Sequence, residues 1–158
     1  MIEEILANHI IEELAKKNMT VAAAESCTGG LVAATLISIP GASLVLNESY
    51  ITYSNEAKHR ILGVRNETLE TYGAVSEQTA AEMALGVART AHANVGIATT
   101  GIAGPDGGTK EKPVGLVYIA CSVNGRVKVT KNYFTGDRQA VRKQAVIIAM
   151  TMVNDRIS

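Results

Sequence analysis

The sequence predicts an α/β protein, a three-layer α/β/α sandwich around a mixed, mostly parallel sheet. Three observations predict it. Short apolar segments suited to buried strands alternate with longer amphipathic or Ala-rich segments. Helical segments lie before and between the first strands, and such an order needs parallel crossovers. Two β-rich segments near the end are joined by Asn124-Gly125, a strong hairpin signal that adds an antiparallel pair.

The elements follow in order. Ile2, Ile5, Leu6, Ile10 and Leu14 recur at helical spacing, with charged residues largely between them, so residues 2–17 form an amphipathic helix closed by Asn18. Thr20–Glu25 is short and apolar and reads as a buried strand, although alanine is an unusual strand residue. Ser26–Gly30 is a turn of small residues. Leu31–Ile39 is a helix stopped by Pro40-Gly41. Leu44–Tyr53 carries β-formers and is expected to be a strand. Ser54 or Asn55 caps a short helix bearing Lys58. A second short helix spans Glu67–Tyr72, and Ser76 caps an Ala-rich helix over about 77–92. Val95–Thr100 is a strand, Gly101–Lys112 a glycine-rich loop, and Val114–Val123 and Val127–Phe134 are the hairpin strands. Asp137 caps the last helix, with Val141, Ala145, Ile148 and Met152 on one face.

Composition narrows the functional classes. The 158 residues are 47% apolar, enough for a single domain over 1–158 and too few for two comfortable ones. Fifteen basic residues balance fifteen acidic ones, which leaves no electrostatic case for nucleic acid as a partner. With no tryptophan and one phenylalanine, a base-stacking platform is not expected either. The longest apolar run, Ala145–Val153, has nine residues and is too short for a membrane span. The acidic start MIEEILANH does not resemble a signal peptide, so a cytoplasmic protein is expected. Cys27 and Cys121 fit two free thiols in a reducing compartment. His9, His59 and His92 have no ligand-spaced partner, and no metal site or cofactor is predicted.

Four segments carry candidate chemistry. In Ala24-Glu25-Ser26-Cys27-Thr28-Gly29-Gly30 a hydroxyl sits where a strand gives way to a helix, the place where open α/β sheets bind ligands. Small residues there let a substrate approach the backbone, and helix-start N–H groups of Thr28, Gly29 and Gly30 can hold an anion or oxyanion. The same residues also serve as an ordinary helix cap. Cys27 is a rival nucleophile to Ser26, or simply a small buried residue. In Tyr53-Ser54-Asn55-Glu56-Ala57-Lys58, the ammonium can lie beside the phenol, favour phenolate, and so turn Tyr53 into a base. An edge tyrosine and a solvated lysine are the local alternative. The glycine-rich segment Thr99–Thr109, which holds Thr100, Gly101, Ala103 and Gly104, suits backbone recognition of phosphate, with a flexible surface loop as the alternative; it matches neither the Walker A nor the dinucleotide fingerprint. Arg138 sits unfavourably in the first turn of its helix, which hints at an anionic partner; an ordinary surface arginine is the alternative.

Together these segments resemble a known family, the CinA C-terminal domain or nicotinamide-nucleotide amidase family. The resemblance runs through AESCTGG at 24–30, SYITYSNEAK at 49–58, YGAVS at 72–76, TTGIAGPDGGTKEKPVG at 99–115 and GDR at 136–138. It implies hydrolysis of nicotinamide mononucleotide to nicotinic acid mononucleotide and ammonia, with an acyl-enzyme on Ser26. It implies a catalytic set of Ser26, Tyr53 and Lys58, in which Lys58 holds Tyr53 near phenolate and Tyr53 takes the serine proton. Cys27, Thr28, Gly29, Gly30, Thr100, Gly101, Ala103, Gly104 and Arg138 are then the substrate-binding residues. A homo-oligomer is also implied. The rival reading is a noncatalytic nucleotide-binding module that acts in competence or damage responses through a partner.

Overall fold

The structure, a computed structural model, describes residues 1–158. The first helix, α1 (Ile2–Lys17), buries Ala7, Ile10, Ile11 and Leu14. Glu3 and Glu4 open it and Lys16 and Lys17 close it, charges that complement the helix dipole. Asn18 ends it in the left-handed conformation, at φ 54°. Next come β1 (Val21–Glu25), α2 (Leu31–Ile37) and β2 (Tyr50–Ile51). Three helices follow, α3 (Asn55–Leu62), α4 (Asn66–Tyr72) and α5 (Glu77–Thr90). The chain finishes with β3 (Val95–Gly101), β4 (Leu116–Val123), β5 (Arg126–Tyr133) and α6 (Arg138–Ile157). Helices and strands alternate in the predicted order.

The strands form one mixed sheet in the order β2-β1-β3-β4-β5. β1 lies parallel to both β2 and β3, whereas β3–β4 and β4–β5 are antiparallel. Four of the five strands thus point the same way. Asn124 and Gly125 both have positive φ (49° and 84°), as the tight β4–β5 hairpin requires. Helices α1, α2 and α6 cover one face, where β1 contributes Val21 and Ala23 to the larger core. Helix α5, with α3 and α4 beside it, covers the other face and receives Ala22 and Ala24.

The alanines have a packing reason. A Cβ on Gly96 of β3 would lie 2.1 Å from the Ala84 carbonyl oxygen of α5. Helix and sheet approach so closely that only small side chains fit between them. Close approach of α5, not β-propensity, accounts for Ala22 and Ala24 of β1.

One predicted element differs. In place of a strand over Leu44–Tyr53, Ala42–Leu44 forms a single 3-10 turn and only Tyr50–Ile51 pairs with β1. The β1 edge is satisfied differently along this stretch. Val21 N–H donates to the Val45 carbonyl (2.8 Å), and Ala23 N–H donates to the Ser49 hydroxyl (3.0 Å). A side chain therefore substitutes for a ladder bond, and Leu44 is left exposed. The three predicted caps are present: Ser54, Ser76 and Asp137 accept from Ala57, Thr79 and Ala140 N–H respectively. No helix is long and apolar enough to cross a membrane.

Candidate active site

Because β1, β2 and β3 are parallel, their carboxyl ends gather at one edge of the sheet, and the segments leaving them meet there. They enclose a cleft of about 220 Å³. Ser26 and Cys27 enter it from β1, Tyr53 and Lys58 from the β2–α3 junction, and Thr100, Gly101 and Ala103 from β3. Arg138 closes one side from the start of α6.

Ser26 is 9% exposed, and its N–H donates to the Thr99 carbonyl (3.1 Å). Lys58 lies in the first turn of α3, which Ser54 caps, and its side chain is 1% exposed. Its Nζ lies 3.2 Å from Ser26 Oγ, 2.9 Å from the Thr52 carbonyl oxygen and 3.3 Å from the Tyr53 carbonyl oxygen. No carboxylate pairs with it. Burial, the dominant influence, pushes its pKa below the ordinary lysine value, and a smaller interaction with Cys27 opposes this.

The three partners define what this amine can do. Two are carbonyl oxygens, which only accept. A neutral amine has two N–H groups and one lone pair. With the N–H groups on Thr52 and Tyr53, the lone pair is left for the Ser26 hydroxyl proton. A serine beside a lysine is the arrangement of a nucleophile and its base once the lysine has lost its proton, a loss that burial favours.

Tyr53 lines the same cleft as Ser26 and Lys58. Lys58 meets its carbonyl, whereas the phenol accepts from Arg138 Nη2 (3.2 Å) at the exposed rim of the cleft. Lys58 reaches Ser26 directly, and the phenol's hydrogen bond is to Arg138. Arg138 also donates through Nη1 to the Gly104 carbonyl (2.8 Å). Gly104 thus serves the site by orienting Arg138. Thr100 lines the cleft, but its hydroxyl donates to the Ala74 carbonyl (2.8 Å).

The other turn residues lie behind the cleft. Thr28 is fully buried, with its hydroxyl on Glu25 Oε1 (2.6 Å) and 2.7 Å from Thr99 Oγ1. Gly29 N–H donates to the Ser26 carbonyl (3.1 Å), and Gly30 lies at the start of α2. None of the three lines the cleft, so the Gly29 N–H is not free to hold an oxyanion. Cys27 does line the cleft, and its N–H donates to no backbone carbonyl. Burial pushes the Cys27 thiol up to about 11, which disfavours the thiolate at neutral pH. Cys27 therefore contributes backbone and shape to the site, not a ready nucleophile.

Sequence reasoning missed four residues here. Ala74 and Val75 complete the wall from the α4–α5 connection. Glu25 is 1% exposed, and its carboxylate accepts from Val32 N–H (2.8 Å) and Ala33 N–H (3.0 Å) as well as from Thr28. Arg142 of α6 donates to the Cys27 and Thr28 carbonyls, both at 3.0 Å. Glu25 did leave a signal, since a charge ending an otherwise apolar strand must find partners when buried. Arg142 left none, because its partners are more than a hundred residues away.

Fold and site define a three-layer α/β protein with a serine–lysine pair at the carboxyl ends of parallel strands. The chain belongs to the CinA C-terminal domain family, whose profile matches residues 3–157. A relative from Clostridium acetobutylicum that bears a competence-damage inducible name is 57% identical over 145 residues, which is 92% of this chain and 34% of that one. A CinA-like protein of Kosmotoga olearia is 50% identical over 151 residues, 96% of this chain and 37% of that one. The chain thus spans about a third of the length of these relatives. The crystal structure of competence/damage inducible protein CihA from Agrobacterium tumefaciens superposes with a TM-score of 0.94 at 45% identity, covering 97% of this chain and 94% of that one.

Proposed function

We propose that this chain is an amidohydrolase that removes the amide nitrogen of nicotinamide mononucleotide. The observation that carries this reading is the buried Lys58 amine, 3.2 Å from Ser26 Oγ, its other partners both carbonyl oxygens. Ser26 Oγ attacks the carboxamide carbon, and its proton passes to Lys58. The oxyanion forms against the Cys27 N–H, and one such donor contributes about 3 kcal/mol to lowering the barrier. The C–N bond breaks as Lys58 returns the proton to the departing nitrogen, which leaves as ammonia. Water then attacks the acyl-enzyme, with Lys58 taking its proton, and releases nicotinic acid mononucleotide and free Ser26. The base is Lys58 itself, and Tyr53 belongs to the substrate-facing rim.

The substrate's two ends suit the two hollows that meet at Arg138. The smaller cleft holds the reacting amide beside Ser26. The adjoining hollow, about 460 Å³, lies between the 103–114 loop and the start of α6, and shares Ala103 and Arg138 with it. Arg138 spends two N–H groups on Gly104 and Tyr53, and its remaining donors suit a phosphate at that junction.

The test is incubation of purified protein with nicotinamide mononucleotide, measuring ammonia and nicotinic acid mononucleotide together, with Ser26→Ala alongside. Equal amounts of both products, lost in the variant, are expected. Nucleotide binding without product from wild type would overturn the amidase reading in favour of a binding module, and full turnover by Ser26→Ala would overturn the mechanism.

A further inference from the structure

Two arginines of α6, Arg138 and Arg142, lie one helical turn apart, a like-charged spacing that is mildly unfavourable by itself. Arg138 faces the cleft. Arg142 reaches instead to the far side of the nucleophile turn, where Nε donates to the Cys27 carbonyl and Nη2 to the Thr28 carbonyl, both at 3.0 Å. No carboxylate pairs with its guanidinium. A charged, rigid fork is thus committed to two consecutive carbonyls directly after Ser26. Gly29 makes room for it, because a Cβ there would lie 3.2 Å from Arg142 Nη2, and its φ of +58° suits glycine.

We propose that Arg142 is a positioning residue for the nucleophile. The turn is held from two sides. Glu25 binds Thr28 and the first N–H groups of α2 from within, and Arg142 binds the two carbonyls from without. A trans peptide sets its N–H opposite its C=O. By fixing the Cys27 carbonyl, the guanidinium fixes the direction of the Thr28 N–H, which has no protein acceptor. It also stops the turn from rocking, which would carry Ser26 Oγ off the Lys58 amine. A lysine cannot replace it, since an ammonium is a point charge without the planar fork that spans two acceptors. The catalytic consequence rests on the amidase reading, whereas the ordering of the turn does not.

The experiment compares wild type, Arg142→Ala and Arg142→Lys in two measurements. Amide hydrogen exchange over residues 26–31 requires no activity, and faster exchange confined to this segment is expected in Arg142→Ala. Steady-state kinetics with nicotinamide mononucleotide should show kcat falling by about 100-fold, the scale of a displaced reacting group, with KM within about twofold of wild type. Arg142→Lys should recover only part of kcat, and free guanidinium ion added to Arg142→Ala should recover more than added ammonium. Unchanged exchange would overturn the proposal, and so would a raised KM at unaltered kcat, which would make Arg142 a substrate contact. If wild type makes no product, the amidase reading fails and the exchange result alone decides whether Arg142 orders the turn.

Discussion

Glu25→Gln tests whether one carboxylate ties β1 to α2. The native group is 1% exposed and accepts from Thr28 Oγ1 at 2.6 Å, Val32 N–H at 2.8 Å and Ala33 N–H at 3.0 Å. Thr28 and Val32 share Oε1, and Ala33 uses Oε2. A glutamine keeps one oxygen and puts an NH2 group where the other stood. With the oxygen on Thr28 and Val32, the Ala33 N–H confronts another donor. Losing a charge-assisted bond costs about 1.5–3 kcal/mol. Removing the negative charge from a helix start costs about 0.3–1 kcal/mol more. The expected destabilisation is therefore about 2–4 kcal/mol. In a domain of this size each kcal/mol lowers Tm by about 2–4 °C, so Tm should fall by about 4–16 °C. Thermal unfolding followed by circular dichroism gives this shift. Urea titration should give a lower midpoint at an unchanged slope, which shows that the folded state and not the unfolded one has changed. A Tm within about 2 °C of wild type would refute the argument, because it would mean that the buried carboxylate contributes no more than an amide does.

The remaining predictions concern protonation. In the proposed mechanism Lys58 is a base only when uncharged, so kcat/KM should rise with pH through the Lys58 pKa and then level off, at a value below the ordinary 10.5 because burial disfavours the ammonium. Activity is lost as pH falls through that value, and Lys58→Arg, which stays charged, should be inactive throughout; a rise centred on 10.5 would contradict the burial argument. Cys27 and Cys121 are both buried, with burial raising each thiol to about 11. Neutral-pH thiol reagents should therefore label the native protein slowly and the urea-unfolded protein at once, and rapid stoichiometric labelling of the native protein would show an accessible thiolate at Cys27 or Cys121.

Much of the fold is local in origin and was legible for that reason. The spacing of Ile10 and Leu14, the caps Ser54, Ser76 and Asp137, and the Asn124-Gly125 turn each act within a few residues of themselves. The segment 44–53 was misread because its β-forming residues follow β1 without laddering along it. Ser49 Oγ takes a bond that a backbone carbonyl would otherwise accept, and no propensity describes that choice.

The site divides along the same line. The sequence by itself pointed to the segments that line the cleft, because strand-to-helix junctions rich in Ser, Thr and Gly mark the ligand edge of an α/β sheet. It also determined that Ser26, Tyr53, Lys58 and Arg138 belong to those segments. Only the tertiary structure decided which atoms meet. It placed the Lys58 amine on Ser26 and the Tyr53 phenol on Arg138. It also brought Arg142 against the turn at Cys27, more than a hundred residues away along the chain. The physical reason is that a side chain's partner is set by the relative placement of β1, α3 and α6, and packing across the whole core fixes that placement.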